Sequence, residues 1–236
     1  MGHWGRSFEA KTFKAANREV RVMIEIKHKI SGDVLLSLDV DSLRGAEIIG
    51  VDLAGADFSN ADLSDSRISS CNLAEAVFRN ARIDSCRIQN SLMRRVDFSR
   101  ASLVAANLSD NVIDVANFSG ANASNAQFRH CKMNGADCTK GVFEYADFSF
   151  AELRSNFTHA SLAHANLYGC DLSNADLSYA DLRESDMTDA KIHKADFNYA
   201  KMQGSIGTNG RHWGSAIKKM GKKRPWWQLW GRSAAL

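Results

Sequence analysis

Proline occurs once among the 236 residues and glycine sixteen times, which excludes a collagen and a proline-rich linker protein. Long apolar runs are missing as well. The longest unbroken aliphatic stretch near the start is Val34 to Leu36, so neither a transmembrane helix nor a secretory signal is expected. The five cysteines are an odd number without short metal-type spacing. They fit reduced thiols in a cytoplasmic compartment better than a disulfide framework. No Gly-rich phosphate loop, HExxH, GxSxG or CxxC motif is present, so the chain is expected not to be an enzyme and to need no cofactor or metal. Acids are absent from residues 205–236, which hold 7 bases; residues 41–204 hold 22 acids and 16 bases, and residues 1–40 hold 5 acids and 7 bases.

What the chain has in abundance is a five-residue repeat, and a short period decides architecture before local propensity does. Counting from Leu43, large centres recur at Ile48, Leu53, Phe58 and onward to Leu153, take one four-residue step to Phe157, and continue to Met202. Of these 33 units, 31 are centred on Leu, Phe, Ile or Met, the exceptions being Ala123 and Cys138. A small residue stands two positions before almost every centre, Ala in 20 units. A period of five suits neither a helix at 3.6 nor a strand at 2, so the chain must turn about once per unit. The small residue and the centre then point inward, and successive coils bond to each other as strands do. Phe58, Phe78, Phe98 and Phe118 are 20 residues apart, and the column continues through Cys138, Phe157, Leu177 and Phe197. Four units therefore make one coil. Because this column survives the four-residue step, the missing residue is assigned to a corner, where a local kink is expected.

Units such as Ala56-Asp57-Phe58-Ser59-Asn60, Ala61-Asp62-Leu63-Ser64-Asp65 and Ala175-Asp176-Leu177-Ser178-Tyr179 resemble the A(D/N)LXX repeat of the pentapeptide-repeat family. The resemblance covers residues 41–204. It implies an all-β fold, a right-handed quadrilateral β-helix, the handedness coming from the family and not from the spacing. Within that family the quinolone-resistance proteins present an acidic rod to DNA gyrase and topoisomerase IV and dimerise through a C-terminal segment. The resemblance thus implies, as one alternative, a DNA-mimicking partner of a type II topoisomerase; the polybasic C-terminus departs from that pattern.

Solenoid ends need caps. Val20, Val22, Ile24 and Ile26 alternate with Arg21, Met23, Glu25 and Lys27, and Ser31-Gly32-Asp33 turns the chain into Val34 to Leu38, so residues 1–40 read as an arm and a β-hairpin cap. At the other end Trp213, Ile217 and Met220 fall at helical spacing ahead of Gly221 and Pro225, so residues 205–236 read as a short cap helix and a tail. In the tail Lys222, Lys223 and Arg224 precede Trp226, Trp227 and Trp230. This composition suits three roles: a fold-back cap or homodimer contact, an anionic membrane surface at which the protein would be peripheral to the inner membrane, or nucleic acid, the last being the least favoured.

Charge is read by columns, since residues 20 apart stack as cross-strand pairs. Between Arg67 and Arg100 much of the basic charge is compensated: Asp62 with Arg82, Glu47 with Arg67, Glu75 with Arg95, and Arg94 with Asp114. Arg79, Arg87 and Arg100 have no acid above or below. Just before the Phe centres stand Asp57, Asp97, Asp137, Asp176 and Asp196 with no base in the column, and His159, Tyr179 and Tyr199 end units on the same side. Two readings follow. The aspartates cap their own turns, or Asp137, Asp176, Asp196, Tyr179 and Tyr199 form a partner-binding strip, aromatic anchors among acids being what an interface hot spot uses. His159 and His164, on adjacent units without a third ligand, read as solvated side chains and not as a metal pair. The expected function is a non-enzymatic scaffold that binds another protein.

Overall fold

The structure is a computed structural model and describes residues 23–212. The expected cap helix and the tail residues Lys222, Lys223, Arg224, Trp226, Trp227 and Trp230 lie outside the described residues.

The five-residue unit folds as a closed set of backbone hydrogen bonds, and the unit around Phe58 shows why its sequence has the form it does. The bridging residue before the centre pairs in parallel with its counterpart 20 residues on, Asp57 with Val77, and Val77 with Asp97. The Phe58 N–H donates to Val77 O at 2.8 Å, and the Val77 N–H to Ala56 O at 2.8 Å. The Asn60 N–H donates to Arg79 O, and the Ala61 N–H back to Phe58 O at 3.1 Å, closing a β-turn. One donor remains, the Ser59 N–H, and the Asp57 carboxylate accepts it at 2.9 Å. Every N–H of the unit is thereby paired, as a buried backbone requires. An Asp or Asn before the centre is thus explained by the turn alone.

The last residue of each unit sits at the corner with positive φ, 61° at Asn60 and 60° at Tyr179. A turn with positive φ at its third residue has the type II form, which favours Gly and Asn. Many corners nevertheless carry other side chains, among them Val115, Tyr145 and Phe150.

Parallel bridges, spaced by 20 residues or by 19 where they span the four-residue step, run from Asp52–Asn72 to Asp186–Ile206. Bridged residues thus stand four units apart, and the coils build a solenoid with no helix among the described residues. Regular strands are confined to the start: β1 Met23–His28, β2 Val34–Asp39, β3 Glu47–Ile49, β4 Ala56–Asp57, β5 Arg67–Ser69 and β6 Arg87–Gln89. In β3, β5 and β6 the chain runs extended, and side chains replace the turn bond. The Cys71 N–H donates to Ser91 Oγ at 3.1 Å, the Ser91 N–H to Asn111 Oδ1 at 2.9 Å, and Asn111 Nδ2 to the Ile88 and Leu108 carbonyls.

The interior is filled by the centres and the small residues before them, nearly all fully buried. Phe58, Phe78, Phe98 and Phe118 pile up with centroids 4.8 to 5.0 Å apart. Cys138 interrupts the pile, and Phe143 fills the space from the neighbouring column, edge-on to Phe118 at 6.3 Å and to Phe157 at 6.0 Å. Gly141 makes room for it: a Cβ there would stand 2.5 Å from the Phe143 ring. All five cysteines are free and buried. Burial drives the Cys86 thiol up to about 11 and those of Cys131 and Cys170 up to about 12. Ser64, Ser99 and Ser149, one position after their centres and not among the residues expected to point inward, are buried as well.

The missing residue at the four-residue step is indeed a corner. The Ser155 N–H donates to Leu153 O at 2.8 Å, a three-residue turn in place of the usual four-residue one. Ser155 Oγ donates to Met133 O and accepts the Ala136 N–H. Register passes through unbroken, Asp137 to Asn156 to Asp176.

The hairpin of β1 and β2 caps the first coil, β1 pairing antiparallel with β4 through Lys27–Asp57 and His28–Ala56. The His28 ring fills the space beside Gly55, where a Cβ would come within 2.5 Å of it, and Lys29 Nζ reaches Glu75 O at 2.6 Å. At the far end the chain reverses, His212 pairing antiparallel with Ile206.

Candidate partner-binding surface

The residues of the strip read on the Phe58 column lie side by side. His159, Tyr179 and Tyr199 occupy successive corners, and their rings stack with centroids 4.8 Å apart. Tyr179 is 49% exposed and Tyr199 77%. Beside them Asp137, Asn156, Asp176 and Asp196 are bridged in sequence along one column.

Both readings of the aspartates have a counterpart in the geometry. Each caps its own turn: Asp137 accepts the Thr139 N–H at 3.0 Å, Asp176 the Ser178 N–H at 2.9 Å, and Asp196 the Asn198 N–H at 2.8 Å. Capping leaves the second carboxylate oxygen of each aspartate unused by that bond. Partial burial pushes the Asp176 carboxyl up, but hydrogen bonds from the hydroxyl and N–H of Ser178 and from Thr158 outweigh it, holding the carboxyl below its ordinary range. The Asp176 carboxylate is therefore charged at neutral pH.

The charge map needs correction at two arginines. Arg79 does not lack an acid; it reaches diagonally, 18 residues on, to Asp97 at 2.8 Å. Column reading misses this because a side chain after the centre leans toward the bridging residue of the next coil. Glu75 and Arg95 pair as expected at 3.5 Å, whereas Arg82 turns to Asp84 at 2.7 Å.

A second aromatic surface escaped the sequence reading. It flanks the Ile48 column. On one edge Tyr145 and His164 stack at 4.6 Å, and on the other His130 stacks on Phe150 at 5.3 Å with Tyr168 edge-on to Phe150. Tyr145 is 57% exposed and Phe150 50%. The signal was present in the last position of the units, where residues 145 and 164, like 130 and 150, fall in register.

The described residues hold no group of three or more His, Cys, Asp or Glu arranged for a metal ion and no helix long and apolar enough to cross a membrane.

Among solved structures, the chain is similar to HetL, a pentapeptide repeat protein involved in heterocyst differentiation regulation from the cyanobacterium Nostoc sp. strain PCC 7120, with 25% identity over 72% of this chain and 91% of that one and a TM-score of 0.38. It is also similar to a trypsin-treated form of QnrB1, a plasmid-mediated fluoroquinolone resistance protein, with 20% identity over 67% of this chain and 84% of that one and a TM-score of 0.45. A third is Rfr23 from the cyanobacterium Cyanothece 51142, with 13% identity over 65% and 89% of the two chains and a TM-score of 0.20. No curated protein matches the chain. The family of pentapeptide repeats matches it in 8 copies, over residues 42–80, 61–100, 91–130, 124–155, 155–193 and 170–206. With the unit, its columns and this match together, the chain belongs to the pentapeptide-repeat family.

Proposed function

We propose that the chain is a non-enzymatic interaction module, a right-handed quadrilateral β-helix that presents a fixed surface to a protein partner in the cytoplasm. The observation that carries this reading is the exposed ladder His159–Tyr179–Tyr199 beside Asp137, Asp176 and Asp196. Nothing in the coil requires a tyrosine at a positive-φ corner, where Asn or Gly is easier to place. Rigid exposed aromatics next to charge are the composition of a binding hot spot. Affinity capture from the source cell tests it, comparing the full chain with a Tyr179→Ala/Tyr199→Ala variant. A partner held by the first and lost by the second supports the reading; an identical set of captured proteins sinks it.

The alternative, a duplex mimic that engages DNA gyrase or topoisomerase IV, has less support in the surface. The Asp column is broken by Val77, Asn117 and Asn156, and Asp97 is neutralised by Arg79. Arg67 and Arg87 moreover stack in one column, where a mimic of phosphate would be negative. A supercoiling assay with and without fluoroquinolone separates the two readings, inhibition or protection at micromolar protein favouring the mimic.

A further inference from the structure

We propose that the exposed face of the Ile48 column, from Gln127 to the end of the solenoid, is the docking site of the chain's own C-terminal segment, residues 213–236. The proposal concerns a different face from the strip above and stands or falls separately from it.

Three observations point to this occupant. The first is where the described chain ends. Ile206 is the last bridging residue of this face, His212 pairs with it, and His212 Nδ1 lies 3.1 Å from Gly204 O, so the described chain ends at the edge of the face. The second is reach. Gln127, Asp147, Asn166, Asp186 and Ile206 are bridged in sequence, so Gln127 lies four coils back, ~19 Å at ~4.8 Å per coil. Lys222, ten residues beyond His212, can extend up to ~33 Å from it. The third is chemical complementarity.

Along the face run Asp147 and Asp186, with Glu184 on one edge and Asp189 on the other. Arg129 stands 3.8 Å from Asp147. No Lys or Arg among the described residues pairs with Glu184, Asp186 or Asp189, although Tyr168, whose phenol is pushed up by its hydrogen bond to Asp189, shares that carboxylate. The aromatic rings Tyr145, His164, His130, Phe150 and Tyr168 stand above these acids on both edges. Residues 213–236 supply what such a face lacks. They carry Lys218, Lys219, Lys222, Lys223, Arg224 and Arg232 with no acid, together with four tryptophans. Lysine and arginine side chains fit both carboxylates and ring faces, and indoles fit the exposed ring edges. Docking in cis adds no loss of translational freedom, and a short connection keeps the effective concentration high.

The test uses the full chain. All five tryptophans, Trp4, Trp213, Trp226, Trp227 and Trp230, lie outside the described residues, so in a Trp4→Phe background the indole emission reports on the C-terminal segment alone. The comparison variant is Glu184→Gln/Asp186→Asn/Asp189→Asn. Its carboxamide oxygen at position 186 would still accept the Thr188 N–H that Asp186 accepts at 2.9 Å, so the coil is kept. The expected result is a blue-shifted emission at low salt that moves red with added salt and in the triple variant. Carbodiimide should link Lys222 or Lys223 to those acids within monomer-sized protein, and the triple variant should lose these links. The Tyr179→Ala/Tyr199→Ala variant should leave both readouts unchanged. The proposal is overturned by links found only in dimer-sized protein, which would make a second copy the occupant. Emission that shifts blue only when phosphatidylglycerol vesicles are added, equally in both chains, would overturn it in favour of a membrane surface.

Discussion

The first half of the solenoid keeps all its aromatic rings inside, whereas the second half buries Phe128, Phe143, Phe148 and Phe157 and also displays rings at its corners. Phe58, Phe78, Phe98 and Phe118 stack along the axis of the early coils, where no corner before Asn125 carries an aromatic side chain. In the later coils the interior turns to Leu162, Leu167, Leu172, Leu177 and Leu182, while Tyr145, Phe150, Tyr179 and Tyr199 stand at corners with φ near 60°. An interior centre needs only volume and apolarity, so Phe and Leu serve alike there. A corner asks for Gly or Asn, and a bulky side chain held at positive φ costs on the order of 1 kcal/mol or more. The tube has no use for that cost. The difference separates residues selected by packing from residues the fold merely tolerates, and the surfaces proposed above for binding both lie in the second half.

The largest effect expected from this contrast is in the interior. Phe98→Ala removes a ring stacked on both sides and should cost about 3–5 kcal/mol, with Leu177→Ala falling at about 2–5 kcal/mol. Urea denaturation of the two variants checks it. If Phe98→Ala proves the milder by a wide margin, the aromatic pile contributes nothing beyond volume. Next is the junction between the two halves, where Phe143 crosses from its own column. Gly141→Ala would set a Cβ 2.5 Å from that ring and 3.1 Å from Cys138 O, and should destabilise by about 1–3 kcal/mol. At the surface the sign reverses. Val115 is a β-branched residue at φ 60°, so Val115→Asn should stabilise by about 1 kcal/mol, raising Tm by roughly 2–4 °C in a chain of this size. A lower Tm for this variant would mean that positive φ at a corner does not strain a bulky side chain.

The interior was legible in the sequence because inward positions are set by one period and one volume rule. From the centres and the small residues two before them, the columns, the coil of 20 and the N-terminal hairpin follow. The corners were less legible. A five-residue period says that the chain turns but not which residue takes positive φ, so Tyr145 and Phe150 carried no flag, although Tyr179 and Tyr199 did by lying beside the aspartates. Diagonal contacts were also hidden. Stacking at 20 predicts Glu75–Arg95 but not Arg79–Asp97, which depends on the lean of a long side chain. The buried Ser99 was missed because the period identifies only the centre and the small residue before it as inward.

The smallest effect concerns two aspartates of one column, one from each half. Asp97 and Asp176 both cap a serine N–H, and both carboxyls sit below their ordinary range despite the opposing effect of burial. Asp97 has Arg79 as a partner at 2.8 Å, and Asp176 has none among the described cations. A carboxyl whose folded pKa lies below its unfolded value of about 3.9 adds stability that is complete above that value and lost as pH falls through the folded one. Asparagine keeps the cap, as Asn117 does in the same column by accepting the Ser119 N–H at 2.9 Å, and removes the charge. At pH 7, Asp97→Asn should therefore cost more than Asp176→Asn by only about 0.2–1 kcal/mol, the worth of an ion pair whose arginine is largely exposed. As pH falls through their lowered folded values the wild-type carboxyls bind protons, and the gap between the two variants should close. A gap that persisted in acid would assign the difference to packing around residue 97 and not to its charge.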